Sequence, residues 1–168
     1  MTYGNLEANR DNLIAIKDVF DKHNITFWLL KGTFLGLYRG GDIIEYDNDI
    51  DLALGKEDWG LYETCEKEFT ELGFQVILTS SGCKALKRND AGVDFFFFKK
   101  EGGGRVYSHM AMPETAFDEY NFIRWRDRDF RIFSDPERWL KYIYGEDWRT
   151  PIKDKHASNQ VYGAEFEK

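Results

Sequence analysis

From residue 47 to residue 52 the chain reads Asp-Asn-Asp-Ile-Asp-Leu, with a carboxylate at every second position. On an extended strand alternate side chains share a face. Asp47, Asp49 and Asp51 would therefore point one way, while Ile50, Leu52 and Leu54 turn into a core. Neighbours on one face of a strand stand about 6.6 Å apart, and at an effective dielectric near 20 each charged pair costs roughly 2.5 kcal/mol. A fold gains nothing from this repulsion unless a cation relieves it. Converging carboxylates are what a hard, oxygen-seeking ion such as Mg²⁺, or Mn²⁺ in its place, requires. The competing reading is a solvated edge strand, or a turn in which Asp and Asn cap backbone groups.

The surroundings favour a site. Upstream, Lys31-Gly32-Thr33 reads as a turn whose backbone N–H groups and hydroxyl could face phosphates. Arg39, between that turn and the aspartates, could neutralise a phosphate with its forked guanidinium, or could be a surface charge. A third metal ligand should come from a neighbouring strand. Asp94 is the candidate, because it interrupts the apolar run Gly92-Val93-Asp94-Phe95-Phe96-Phe97-Phe98, where an unpaired charge is costly to bury. A lysine partner or an exposed strand start would also accommodate it.

The elements that must hold these residues alternate between helix and strand. Leu13, Ile16 and Phe20 mark one face of a helix over about Leu6 to Lys22. A buried strand is expected at Ile25 to Leu30, and a short apolar segment at Phe34 to Tyr38 closed by Gly40-Gly41. Asp47 to Leu54 reads as the acidic strand. Lys56 to Leu72 reads as a helix with Tyr62, Cys65, Phe69 and Leu72 on its buried stripe. Strands follow at Phe74–Thr79, Lys84–Arg88 and Val93–Lys99. Gly102-Gly103-Gly104 then turns the chain into Val106–His109. That glycine run lacks the lysine and the strand-to-helix setting of a phosphate loop, so it reads as a hairpin turn. A strand pair, Phe122–Arg126 and Phe130–Phe133, precedes a helix from Pro136 to Tyr144. Ser134 or Asp135 should cap this helix, Glu137 could complete a capping box, and Gly145 stops it. The tail from Glu146 onward reads as polar and irregular.

Composition narrows the class. The 168 residues suit one domain, with a core from about residue 5 to residue 151, and 42% hydrophobic content excludes a disordered chain. A net charge of −7 argues against nucleic acid as a partner. Cys65 and Cys83 form no metal-binding spacing and no disulfide framework. His23, His109 and His156 are isolated from one another. The first eleven residues lack the apolar stretch of a secretory signal, and no apolar run could span a bilayer, so a cytoplasmic location is expected. Trp28, Tyr46 and the Phe95–Phe98 run could in principle cage a quaternary ammonium, but aromatic strands more commonly form core.

Two stretches resemble the LicD family, which includes the fukutin-type phosphotransferases. One is Gly32-Thr33-Phe34-Leu35-Gly36-Leu37-Tyr38-Arg39-Gly40-Gly41-Asp42-Ile43-Ile44 followed by Glu45-Tyr46 and Asp47-Asn48-Asp49-Ile50-Asp51-Leu52. The other is Tyr144-Gly145-Glu146-Asp147-Trp148-Arg149-Thr150-Pro151. Glu45-Tyr46 stands where the family pattern has Pro-Trp, and Asn48 where Asp is common. The resemblance implies an α/β (α+β) nucleotidyltransferase fold, a mixed sheet flanked by helices in a single domain. It implies transfer of a phospho-alcohol, such as phosphocholine or ribitol phosphate, from a CDP-linked donor to a glycan hydroxyl with release of CMP. In this sequence Asp49, Asp51 and Asp94 become the metal ligands and Asp47 an acidic helper, while Gly32, Thr33 and Arg39 line the phosphates. One alternative keeps the fold and moves a nucleotide from a nucleoside triphosphate to a small hydroxylated acceptor such as an antibiotic, releasing pyrophosphate. Another is a nucleotide-binding domain without turnover.

Overall fold

The computed structural model describes residues 5–152; the end of the tail, with His156, lies outside them. The first helix, α1 (Leu6–Lys22), starts where expected because the Asn5 side chain accepts the Ala8 N–H and Glu7 faces the positive end of the helix dipole. Its stripe of Leu13, Ile16, Val19 and Phe20 is buried. Strand β1 (Phe27–Leu29) follows and is buried throughout. The next segment, read from sequence as a turn with a short apolar stretch, is a helix, α2 (Lys31–Gly40). Its glycines lower helix propensity, but one of them permits close packing. A Cβ on Gly36 would stand 2.8 Å from the Asp42 carbonyl oxygen and 2.9 Å from the Ile44 side chain. Gly41, at φ +74°, ends the helix by donating to the Leu37 carbonyl.

Strand β2 (Asp49–Gly55) begins two residues later than expected, leaving Asp47 and Asn48 in the approach to it. A 3₁₀ turn (Lys56–Asp58) leads into α3 (Trp59–Glu71). Tyr62, Cys65 and Phe69 are buried, but Leu72 lies past the helix end and is 43% exposed, contrary to the expected stripe. Strands β3 (Gln75–Thr79), β4 (Cys83–Arg88) and β5 (Ala91–Glu101) then form a meander. Gly102 and Gly103, both at positive φ, turn β5 into β6 (Gly104–Tyr107). The strand β7 (Met110–Pro113) and the short helix α4 (Glu114–Asp118) were not legible from sequence. Strands β8 (Asn121–Trp125) and β9 (Arg128–Ile132) form the expected hairpin. Helix α5 (Pro136–Tyr144) has the expected bounds without the expected cap. Asp135 sits at φ +51° with no side-chain capping bond, and Glu137 instead meets Arg149 and Tyr38.

The main sheet runs β3-β4-β5-β2-β1-β9-β8, with β6 and β7 attached along the end of β5. It is mixed: β2 pairs in parallel with β5 and antiparallel with β1, while β1 pairs in parallel with β9. Both faces of β5 are filled with aromatics. Phe95 packs against Phe20, Tyr62 and Phe69 under α1 and α3. On the opposite face Phe98 meets Tyr107 and Phe117. No helix among the described residues is long and apolar enough to cross a membrane. Because Phe95 is fully buried at the meeting point of three rings, Phe95→Ala should destabilise the fold by about 3–5 kcal/mol. Urea denaturation monitored by tryptophan fluorescence measures this.

Candidate active site

The parallel pairing of β2 with β5 places Asp51 directly opposite Asp94, and Asp49 opposite Gly92. Alternation along β2 sends Ile50, Leu52 and Leu54 into the core and leaves Asp49 and Asp51 on the face toward α2. Carboxylate oxygens of Asp49, Asp51 and Asp94 all lie within 4.8 Å of one another. Three hard oxygen donors at that spacing fit a divalent ion of the Mg²⁺ type. Asp47 lies beside the trio, against the start of α2. A Cβ on Gly32 would stand 2.3 Å from Asp47 Oδ2, so the missing side chain at residue 32 is what admits this carboxylate.

The backbone of Asp51 is fixed from both sides. Its N–H donates to the Thr33 hydroxyl at 2.9 Å, and its carbonyl accepts the Leu30 N–H at 3.1 Å. Thr33 is buried and absent from the cleft wall. Its hydroxyl, expected from sequence to face phosphates, here accepts the N–H of a metal-ligand candidate. The approach to β2 is tied down by α1. Arg10 pairs with Asp42 through two nitrogens, and Asn9 donates to the Asp47 carbonyl at 2.9 Å.

Crowding of buried negative charge sets the acidities. Burial first, then the charge of Asp49, pushes Asp47 up to about 7, although the Asn48 N–H opposes the shift. Burial, and after it Asp49, pushes Asp94 up to about 6. Asp51 is held well above the usual carboxylate range by burial and by its acidic neighbours. Burial also raises Asp49, against the charge of Lys31 and a hydrogen bond from Asp47.

These residues line a cleft of about 320 Å³ together with Lys31, Gly32, Arg39, Tyr46, Trp148 and Thr150. Arg39 is in the wall, and one of its nitrogens donates to the Trp148 carbonyl at 2.9 Å. The stretch read as the start of a polar tail thus contributes a wall, with Trp148 buried against Tyr38. Trp28 takes no part, since its indole N–H donates to the Phe117 carbonyl. Sequence reasoning missed Lys31. Its ammonium lies 4.0 Å from the Phe96 ring centroid, and its charge bears on Asp49, Asp51 and Asp94.

A family model described as LicD/FKTN/FKRP, nucleotidyltransferase domain, matches residues 24–142. The chain belongs to this family. The matched span contains the helix α2, Asp47, Asp49, Asp51, Asp94 and Arg39, while Asp147 of the cleft wall lies beyond it. Ribitol-5-phosphate transferase FKTN of Homo sapiens is 27% identical over 147 residues, covering 79% of this chain and 31% of that protein. An uncharacterised protein of Rickettsia typhi is 31% identical over 162 residues, covering 90% of this chain and 50% of its own length. The chain thus spans about a third to a half of the curated relatives it matches. Among solved structures, the lincosamide antibiotic adenylyltransferase LnuA with lincomycin bound superposes with a TM-score of 0.57 at 15% identity, covering 77% of this chain and 83% of that one. The antibiotic-resistance factor ANT(2'')-Ia gives 0.59 at 17%, covering 88% and 76%. The LicD-family chain therefore has a nucleotidyltransferase fold.

Two tests address this geometry. Thr33→Val leaves the buried Asp51 N–H without its acceptor and should cost about 1–3 kcal/mol in chemical denaturation. The raised acidity of Asp47 makes the second test pH-dependent. A carboxyl protonated more readily in the folded than in the unfolded chain stabilises the fold fully below its ordinary value of 3.8, and this is lost as pH rises through about 7. In EDTA, Asp47→Asn should therefore melt about 3–6 °C above the wild type at pH 8 and show little difference near pH 4. Differential scanning fluorimetry across that range checks both the sign and the window.

Proposed function

We propose that this LicD-family chain is a Mg²⁺-dependent phosphotransferase. In this reading it moves a phospho-alcohol, such as ribitol phosphate or phosphocholine, from a CDP-linked donor to a hydroxyl of a glycan and releases CMP. The observation that carries the proposal is the meeting of Asp49, Asp51 and Asp94 oxygens within 4.8 Å. It gains support from the family, whose matched relative is a ribitol-5-phosphate transferase.

Asp49, Asp51 and Asp94 would hold the ion, with Mn²⁺ able to replace Mg²⁺. When bound, the ion supplies neutralisation of charge on the phosphate oxygens and on the departing CMP. Thr33 and Leu30 keep Asp51 in register by holding its backbone. Arg39 stands in the cleft wall, where its guanidinium would meet a phosphate with the donors that the Trp148 carbonyl leaves available. Asp47, pushed up to about 7, has the acidity of a group that can accept the proton of an attacking hydroxyl near neutral pH. Gly32 leaves its carboxylate room.

A second reading, nucleotidyl transfer from a nucleoside triphosphate to a small hydroxylated acceptor, is favoured by the antibiotic-modifying adenylyltransferases among the structural neighbours. Product analysis separates the two. CDP-ribitol or CDP-choline with Mg²⁺ should yield CMP, whereas pyrophosphate from a nucleoside triphosphate would transfer the assignment to the second reading. Donor binding with no product from either class would leave a nucleotide-binding domain. Asp49→Asn and Asp51→Asn should each lower turnover at least about a thousand-fold, equivalent to about 4 kcal/mol, with circular dichroism unchanged. Full activity in either variant would remove the metal role.

A further inference from the structure

Lys31 opens α2 with φ +48°, a left-handed conformation that a residue with a side chain adopts at a cost of order 1 kcal/mol. The side chain enters the cleft and rests its ammonium on the face of Phe96. Phe96 lies two residues beyond Asp94 on β5, hence on the same face of the strand. The charge of Lys31 acts on Asp49, Asp51 and Asp94. Among the described residues, however, no hydrogen bond or ion pair joins its ammonium to a carboxylate. A lysine whose work was to neutralise the acidic trio would sit on its oxygens. This one is held beside them by an aromatic wall, with its N–H donors uncommitted to protein acceptors.

Charge balance indicates what those donors serve. Three carboxylates, one divalent ion and the Arg39 guanidinium sum to zero before Asp47 and Asp147 are counted, which leaves no positive charge to receive a doubly anionic diphosphate. A second metal would supply it but would need further oxygen ligands. A further monovalent cation at the margin supplies it without competing for the carboxylates. We propose that Lys31 is a donor-phosphate ligand: its ammonium, seated on Phe96 beside the metal-binding aspartates, takes a non-bridging oxygen of the donor's diphosphate. This rests on the phosphotransfer reading of the same cleft, but not on the identity of the alcohol or the base.

Calorimetric titration of the wild-type chain, Lys31→Met and Lys31→Arg tests it, with Mg²⁺ alone and with inorganic pyrophosphate at saturating Mg²⁺ as probes. In Lys31→Met, Mg²⁺ alone should bind at least as tightly as in the wild type, because a repelling charge has gone. Pyrophosphate should bind about tenfold more weakly or worse, and Lys31→Arg should recover most of the loss. Opposite movement of the two affinities is the signature, since a purely structural lysine would weaken both together. Unchanged pyrophosphate binding in Lys31→Met, or a parallel fall in both affinities, overturns the assignment. Should Lys31→Met fail to fold, Lys31→Gln supplies the same comparison. A wild type that binds Mg²⁺-pyrophosphate through Lys31 yet forms no CMP from any CDP-alcohol would refute the donor class while leaving the lysine assignment standing.

Discussion

Seven consecutive residues of β2 lie in parallel register with seven of β5, and the meeting of Asp49, Asp51 and Asp94 follows from that pairing. A slip of one residue would turn Asp94 to the other side of the sheet and put Val93 or Phe95 where the carboxylate belongs. The register is protected by what surrounds it. On the α1–α3 side Phe95 and Phe97 are wedged among Phe20, Tyr62, Phe69 and Trp59. On the other side Phe98 is held by Phe117 and Tyr107. The aromatic richness of this chain is thus concentrated around the strand that can least afford to move.

The same packing imposes a cost, because it buries mutually repelling carboxylates. Asp47, Asp49, Asp51 and Asp94 are displaced toward the protonated form, each first by burial. In the proposed metal-binding role such a site would take up protons in competition with the ion, and its affinity for a divalent ion should depend on pH for that reason. Backbone anchoring offsets part of the strain. Asp51 is fastened through its amide and its carbonyl, so the backbone position from which its carboxylate projects is fixed. Preorganisation of this kind keeps ligand oxygens in place before a cation arrives.

Much of this was legible in the sequence because it depends on local periodicity. The bounds of α1 and α5, the β8–β9 hairpin and the alternation that gathers Asp49 and Asp51 follow from spacing and from residue type. Asp94 could be singled out because a charge inside a run of phenylalanines demands a reason. The segment from Lys31 to Gly40 was misread because its glycines signal a turn. Only the tertiary structure shows that Gly36 is needed where α2 touches residues 42 and 44, and Gly32 where Asp47 approaches. Thr33 was assigned to a ligand because a hydroxyl beside a glycine suggests phosphate, whereas its acceptor role toward Asp51 spans eighteen positions of sequence. Lys31 gave no signal, since its placement over Phe96 is a long-range contact without periodic trace. Trp148 was legible only as part of the second LicD-like stretch, and its place in the cleft wall was not.

Two adjacent residues of α1, Asn9 and Arg10, fasten the segment that carries Asp47 at its two ends, residues 42 and 47. Both lie before residue 24, where the family match begins. The portion of the chain that the family model covers is therefore smaller than the portion that keeps the acidic loop in place. The boundary of the family model and that of mechanical integrity differ here, and the first helix lies inside only the second.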